Sequence, residues 1–181
     1  SYLPEWRPRR PYQESYSARL AEGGVLRDLI HDIDYAGWIF GWPHAIEARL
    51  ANTGRLGIDA EEQAELTWEA PGGCLVSVNL DYLSKPPRRL MTAYGECGTI
   101  AWDGIAGTVT LLKADAAVEE AKRPQTADQL FYSQAYAFVN AVLGTSDPQL
   151  ASGSDGVKAL AVCDAARRAS NSRREETVAY P

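Results

Sequence analysis

A chain of 181 residues, 45% hydrophobic and 23% charged, is long enough for one domain with a real core, and its net charge of −6 gives no reason to expect a nucleic-acid partner. No apolar run approaches membrane-spanning length and no signal peptide is visible, which predicts a soluble, cytoplasmic protein with no membrane partner. Three scattered cysteines without a CxxC pair support neither a disulfide framework nor a zinc site, and Cys74 and Cys163 read as small buried residues.

Residues 1–22, rich in Pro, Arg and Tyr, read as an extended arm. The start at Ser1, without an initiator Met, reads as the middle of a longer protein. Gly23-Gly24 then opens a helix over 24–41, closed by Gly41 and Pro43. Leu26, Leu29, Ile33, Ala36 and Phe40 recur at three- and four-residue steps and predict its core stripe. Asp28, His31, Tyr35, Trp38 and Trp42 repeat those steps about half a turn away. That second stripe carries a titratable pair between aromatics, which a solvated face has no need of, so the helix is expected to be covered on both sides.

A sheet region is expected over 44–120. His44 to Ala51 and Glu61 to Glu69 are candidate strands, and Ala70-Pro71-Gly72-Gly73 is a turn. Cys74 to Tyr82 alternates, with Val76, Val78, Leu80 and Tyr82 on one face and Leu75, Ser77, Asn79 and Asp81 on the other. Arg88 to Tyr94, Thr99 to Trp102 and Thr108 to Lys113 are further short strands. Two C-terminal helices fall within 126–172. The first runs from Thr126, its N-cap, to Leu143 before Gly144; the second is capped by Ser154 or Asp155 and runs to about Ala169. Strands grouped between helices, rather than alternating with them, predict an α+β domain over 1–181: an open, mainly antiparallel sheet with helices packed on one face.

His31 is one of only two histidines. Its imidazole could relay a proton, with Asp28 or Asp34 orienting it, or it could be a structural histidine satisfied by hydrogen bonds. A metal site built on Asp32 and Asp34 would need more histidines than the chain has, and Asp32 reads as a solvated residue. On the arm, Trp6, Arg7, Tyr12, Tyr16 and Arg19 are of the types that recognise sugars, carboxylates and phosphates, or else rings that pack the arm against the domain. There is no G-x-G-x-x-G and no P-loop, so no residue here reads as cofactor-binding.

Taken together, Tyr2-Leu3-Pro4-Glu5-Trp6-Arg7-Pro8, Tyr12 through Tyr16-Ser17-Ala18-Arg19, and Gly23-Gly24-Val25-Leu26 leading to His31-Asp32-Ile33-Asp34-Tyr35 and Trp38 resemble one known domain. This is the C-terminal domain of the Gfo/Idh/MocA family of NAD(P)-dependent oxidoreductases, of the glyceraldehyde-3-phosphate dehydrogenase-like kind. Gly95-Glu96-Cys97-Gly98-Thr99-Ile100 before Trp102-Asp103, and Ser152-Gly153-Ser154-Asp155-Gly156 before the last helix, extend the resemblance over nearly the whole chain. It implies an N-terminal Rossmann domain, outside this sequence, that binds NAD or NADP and supplies a catalytic lysine. It implies a sugar, nucleotide-sugar or polyol substrate, and a homodimer or tetramer built through the sheet. His31 matches the family's catalytic histidine, and Asp28, Arg19, Tyr16, Tyr12, Trp6 and Arg7 are the implied substrate contacts. The family often has Asp four residues before the histidine, where Arg27 stands here. The competing class is a non-catalytic sugar-binding or assembly module.

Overall fold

The computed structural model describes residues 1–6, 9–145, 147–148 and 150–181. Its contacts group the chain into two compact units, Ser1–Lys85 with Ser152–Pro181, and Pro86–Ala151, where the sequence reading treated 1–181 as one.

In the first unit the alternation seen in the sequence becomes a four-stranded antiparallel sheet. β1 (Ala45–Ala51), β2 (Gln63–Glu69), β3 (Leu75–Asp81) and the short β8 (Glu176–Thr177) stand in the order β3-β2-β1-β8. Register pairs Glu47 with Thr67 and Leu66 with Val78, which puts Ile46, Ala48, Leu66, Trp68, Val76, Val78 and Leu80 on one buried face. Each such Val or Leu contributes about 1.5–3 kcal/mol on burial. That face is covered by α3 (Ile30–Phe40) and by α5 (Gly153–Ser172), whose Ala159, Val162, Cys163, Ala166 and Ala169 are buried. Small alanines let α5 lie close to β1. The α+β class, the antiparallel sheet and the one-sided helix cover agree with the sequence reading.

The opposite face of this sheet carries Glu47, Arg49, Glu65, Thr67, Ser77 and Asn79, all exposed. Strand-borne aromatics lie elsewhere: Trp68 is on the buried face, and Tyr94 and Trp102 belong to the second unit. That unit is a separate antiparallel meander, β4 (Leu90–Gly95), β5 (Gly98–Asp103), β6 (Thr108–Leu112) and β7 (Glu119–Lys122), so the expected single sheet is in fact two. β7, three charged residues and Ala121, had no apolar alternation to announce it. α4 (Ala127–Val142) begins at a capping box between Thr126 and Gln129, as its cap predicted, and none of its residues is buried.

Three local expectations are corrected. The helix over 24–41 is two, α2 (Val25–Asp28) and α3, separated at Leu29 (φ −102, ψ 24). No Gly or Pro marks the break. α5 is capped by Ser152, whose hydroxyl accepts the Asp155 N–H while the Asp155 carboxylate reaches back to Ser152. Cys74 is exposed, standing just after the Pro71–Gly73 turn; Cys163 is buried, and burial pushes its thiol up to about 12. It is an unreactive core residue.

Candidate active site

The arm is fastened residue by residue. Ser1 N–H donates to the Asp81 carbonyl at 3.0 Å, Leu3 N–H to the Tyr82 carbonyl at 3.1 Å, and Lys85 holds Glu5 at 3.0 Å while sitting over the Tyr2 ring. A short helix, α1 (Leu3–Trp6), turns the Trp6 indole edge-on to Tyr82, with centroids 5.4 Å apart at 88°. Further along, a 3-10 turn at Tyr12–Glu14 is held by Tyr12 Oη donating to the Leu56 carbonyl at 3.1 Å. Trp6 and Tyr12, with Leu3, Arg10, Pro11, Glu14, Ser15 and Ser17, line a cavity of about 370 Å³. Aromatic walls beside a guanidinium, a carboxylate and hydroxyls suit an oxygen-rich ring.

Gly23 and Gly24 join the arm to α2 under close contact. A Cβ at Gly23 would stand 2.3 Å from the Tyr16 carbonyl oxygen, and Gly24 has φ +90 beneath the Glu61 carboxylate. Glu61, buried, accepts the Leu26 N–H at 3.4 Å through its side chain and the Val25 N–H at 3.1 Å through its carbonyl. A carboxylate there satisfies donors that the helix start leaves free. Arg167, from α5, stands 3.5 Å from the same carboxylate and donates to the Gly23 carbonyl at 3.0 Å. Thus α2 is clamped from the arm, the β2 side and α5.

On α3 the inner stripe is as expected, with Ile33 and Ala36 buried and Leu29 and Phe40 against the core. The outer stripe divides. His31 and Trp38 face outward, the His31 side chain 49% exposed and Trp38 66%. Trp42 folds back onto Gly37, where a Cβ would meet the indole at 2.7 Å. Asp28 turns the other way: both its carboxylate oxygens are shielded from water and its neighbour is the Tyr82 hydroxyl. Burial first, then the nearby Asp28 charge, raise the Tyr82 phenol far above its usual range.

The carboxylate that meets His31 is Asp32, with Oδ2 3.4 Å from Nε2; the sequence reading left it in solvent, but its side chain is only 14% exposed. Asp34 is near as well. Burial and the Asp155 charge raise its carboxyl, and the charge of His31 opposes them. Asp32 and Asp34 thus place carboxylates beside the His31 imidazole.

The other sequence candidates are dispersed. Arg19 is exposed and paired with Glu22 at 3.0 Å, and Tyr16 is half exposed. Arg7 lies outside the described residues. Asp32, read from sequence as solvated, lies against His31, and Tyr82, Glu61 and Arg167, not read from sequence as site residues, lie around Asp28 and the start of α2. Among the described residues no cluster of His, Cys, Asp and Glu could hold a metal ion, and no helix is long and apolar enough to cross a membrane.

Residues 1–101 match the family model described as the GFO/IDH/MocA C-terminal domain. Solved structures similar in fold include levoglucosan dehydrogenase in complex with NADH and L-sorbose, at TM-score 0.82 and 18% identity over 99% of this chain and 57% of that one. Others are an oxidoreductase from Agrobacterium radiobacter in complex with NAD+, L-tartaric acid and magnesium (TM-score 0.78, 18% identity, 96% and 53%) and the aldose-aldose oxidoreductase from Caulobacter crescentus complexed with glycerol (0.76, 18%, 93% and 51%). The chain thus spans about half the length of the structures it matches. No curated protein sequence matches it.

Proposed function

The chain belongs to the GFO/IDH/MocA C-terminal domain family of oxidoreductases, and from that premise we propose that it is the substrate-side half of an NAD- or NADP-dependent dehydrogenase acting on a sugar, nucleotide sugar or polyol hydroxyl. The observation that carries the reading is His31, held outward on α3 between Asp32 and Asp34, on a face that also exposes Trp38.

The nicotinamide, when bound, supplies the hydride acceptor or donor. This chain has no glycine-rich strand-to-helix turn to hold a dinucleotide, so that task falls to an N-terminal Rossmann domain, together with the family's lysine. What this chain's own residues do is bind and move a proton. His31 takes the hydroxyl proton as the alcohol is oxidised and returns it in reduction, with Asp32 stabilising the imidazolium. Trp6 and Tyr12 bind the far part of the substrate against their ring faces, with Arg7, Tyr16 and Arg19 as further contacts and Asp28 beneath. We assign assembly to a homodimer or tetramer through the sheet, and the enzyme to the cytoplasm. A second reading, a non-catalytic binding or assembly module, draws on the exposed Phe131, Tyr136 and Val142 of α4.

In the full-length enzyme His31→Ala should lower kcat by roughly two to four orders of magnitude while nicotinamide affinity and the unfolding transition persist. The isolated 181 residues serve as the control and should be inactive. Wild-type turnover in the variant would leave His31 structural and favour the second reading.

A further inference from the structure

The walls of the arm cavity are specific about what could enter it. Trp6 and Tyr12 form its aromatic part, and each is fixed by a contact outside the cavity. Trp6 meets the Tyr82 ring edge-on, and the Tyr12 hydroxyl is committed to the Leu56 carbonyl at 3.1 Å. What they offer a ligand is therefore ring surface, and Trp6 remains 38% exposed. Such surface suits the C–H side of a sugar or polyol ring.

Three polar side chains stand among these walls without a bond of their own. Arg10 and Glu14 line the same cavity, yet neither forms an ion pair or side-chain hydrogen bond with the other, or with any other of the described residues. Ser17 is only 2% exposed, and its hydroxyl also has no partner among the described residues. A buried hydroxyl left unpaired costs free energy, which a ligand in the cavity would recover. Arg10 can only donate, Glu14 as a carboxylate can only accept, and Ser17 can do either. A ligand hydroxyl answers all three, being donor and acceptor at once.

Charge and size then decide between the ligand classes. The Arg10 guanidinium and the Glu14 carboxylate cancel, so the described walls carry no net charge, in a chain whose own charge is −6. A phosphate would gain one cation there and face a carboxylate in the same space, whereas an uncharged ring meets both groups with hydrogen bonds. At about 370 Å³ the cavity stands near the lower end of the range for small-molecule sites, about 300–1,000 Å³. That is room for one ring rather than for a nucleoside diphosphate with its sugar.

We infer that the arm cavity is the subsite for an uncharged, hydroxyl-rich ring, a free sugar or polyol, and that Arg10 and Glu14 select it over phosphorylated and nucleotide-linked forms. The inference rests on the reading of this chain as the substrate-side half of a dehydrogenase, and narrows its substrate class.

The test uses the full-length enzyme with its nicotinamide, against a panel of uncharged hexoses and inositols, hexose monophosphates and UDP-hexoses. The best substrate should be uncharged. With it, Arg10→Gln and Glu14→Gln should each raise KM about tenfold while kcat stays within about threefold, the mark of a bond to a charged group lost from binding alone. Glu14→Lys should raise that KM too, yet lower the KM for a hexose monophosphate about threefold or more, a reversal that a merely structural role would not produce. A phosphorylated or UDP-linked best substrate overturns the inference, as does turnover of no panel member. So does a KM within about twofold of wild type in both Gln variants. His31→Ala separates the two readings. Its loss of turnover beside unmoved KM values in the arm variants removes this inference alone, whereas wild-type turnover in His31→Ala removes the functional reading on which the inference rests.

Discussion

Glu62 offers a measurable link between fold and arm. It is fully buried, and one carboxylate oxygen accepts the Thr53 N–H at 2.8 Å and the Thr53 hydroxyl while the other accepts the Leu56 N–H at 2.7 Å. Burial alone would raise its carboxyl; hydrogen bonds from Thr53, Leu56 and Arg55 outweigh that and hold it below the ordinary value of 4.5. Glu62→Gln keeps one oxygen but aims an amide NH2 at a backbone donor. One charge-assisted bond is lost and one buried donor is orphaned, together about 2–4 kcal/mol. For a chain of this size that is a fall in Tm of roughly 5–15 °C. The loosened Leu56 also frees Tyr12, whose hydroxyl it accepts, so the arm cavity should soften before the sheet does. Because the folded carboxyl sits below its unfolded value, its contribution is present above pH 4.5 and is lost as pH falls through the folded value. Thermal unfolding followed by circular dichroism between pH 3 and 8 reads both effects. A variant within about 2 °C of wild type at pH 7, or a gap that does not narrow in acid, would refute this reasoning.

Two further outcomes are expected. Gly23→Ala drives a methyl into the backbone of Tyr16 and Ser17, whose atoms stand 2.3 and 2.6 Å from the ideal Cβ, and should cost about 1–3 kcal/mol as read by the urea midpoint. Asp34 carries a folded carboxyl raised by burial and by Asp155, so its favourable contribution is full below its unfolded value of 3.8 and is lost as pH rises through the folded one; Asp34→Asn should therefore raise Tm by a few degrees at pH 7 and by nothing near pH 3, and a variant less stable at pH 7 contradicts the assignment.

What the sequence told and what it withheld divide along the range of the forces involved. Ile33 and Ala36 at helical spacing, and Val76, Val78 and Leu80 at strand spacing, are patterns a single element must satisfy to bury one face, and these stripes are found buried. The break at Leu29 has no such local signature. Around it, Glu61 and Arg167 clamp the start of α2 and Gly23, contacts that span up to 144 residues. The same holds for the division into two sheets: short strands with glycines between them give length and turns, but which strand pairs with which is a long-range matter. Asp32 was misplaced for a smaller reason. Helical spacing puts it a step away from the His31 stripe, yet the tightened turn after Leu29 brings its carboxylate within 3.4 Å of the imidazole.

The side chains of α3 also show how a family resemblance and a physical reading constrain each other. A resemblance can assign His31 a role, but it does not say why a histidine should be ready to perform it. The geometry supplies that part. Asp28, which spacing offered as a partner, is turned inward, and Asp32 and Asp34 take its place around the imidazole. On the proposed reading, these carboxylates stabilise the imidazolium formed as the hydroxyl proton leaves. Meanwhile Trp38 at 66% exposure and Ile39 at 45% leave apolar surface on the same helix, which water alone would not select. A proton relay needs that water kept away when hydride moves. If His31 exchanges the proton, as proposed, the surface that completes its site must be apolar where it meets Trp38 and must leave Nε2 of His31 within reach of the substrate.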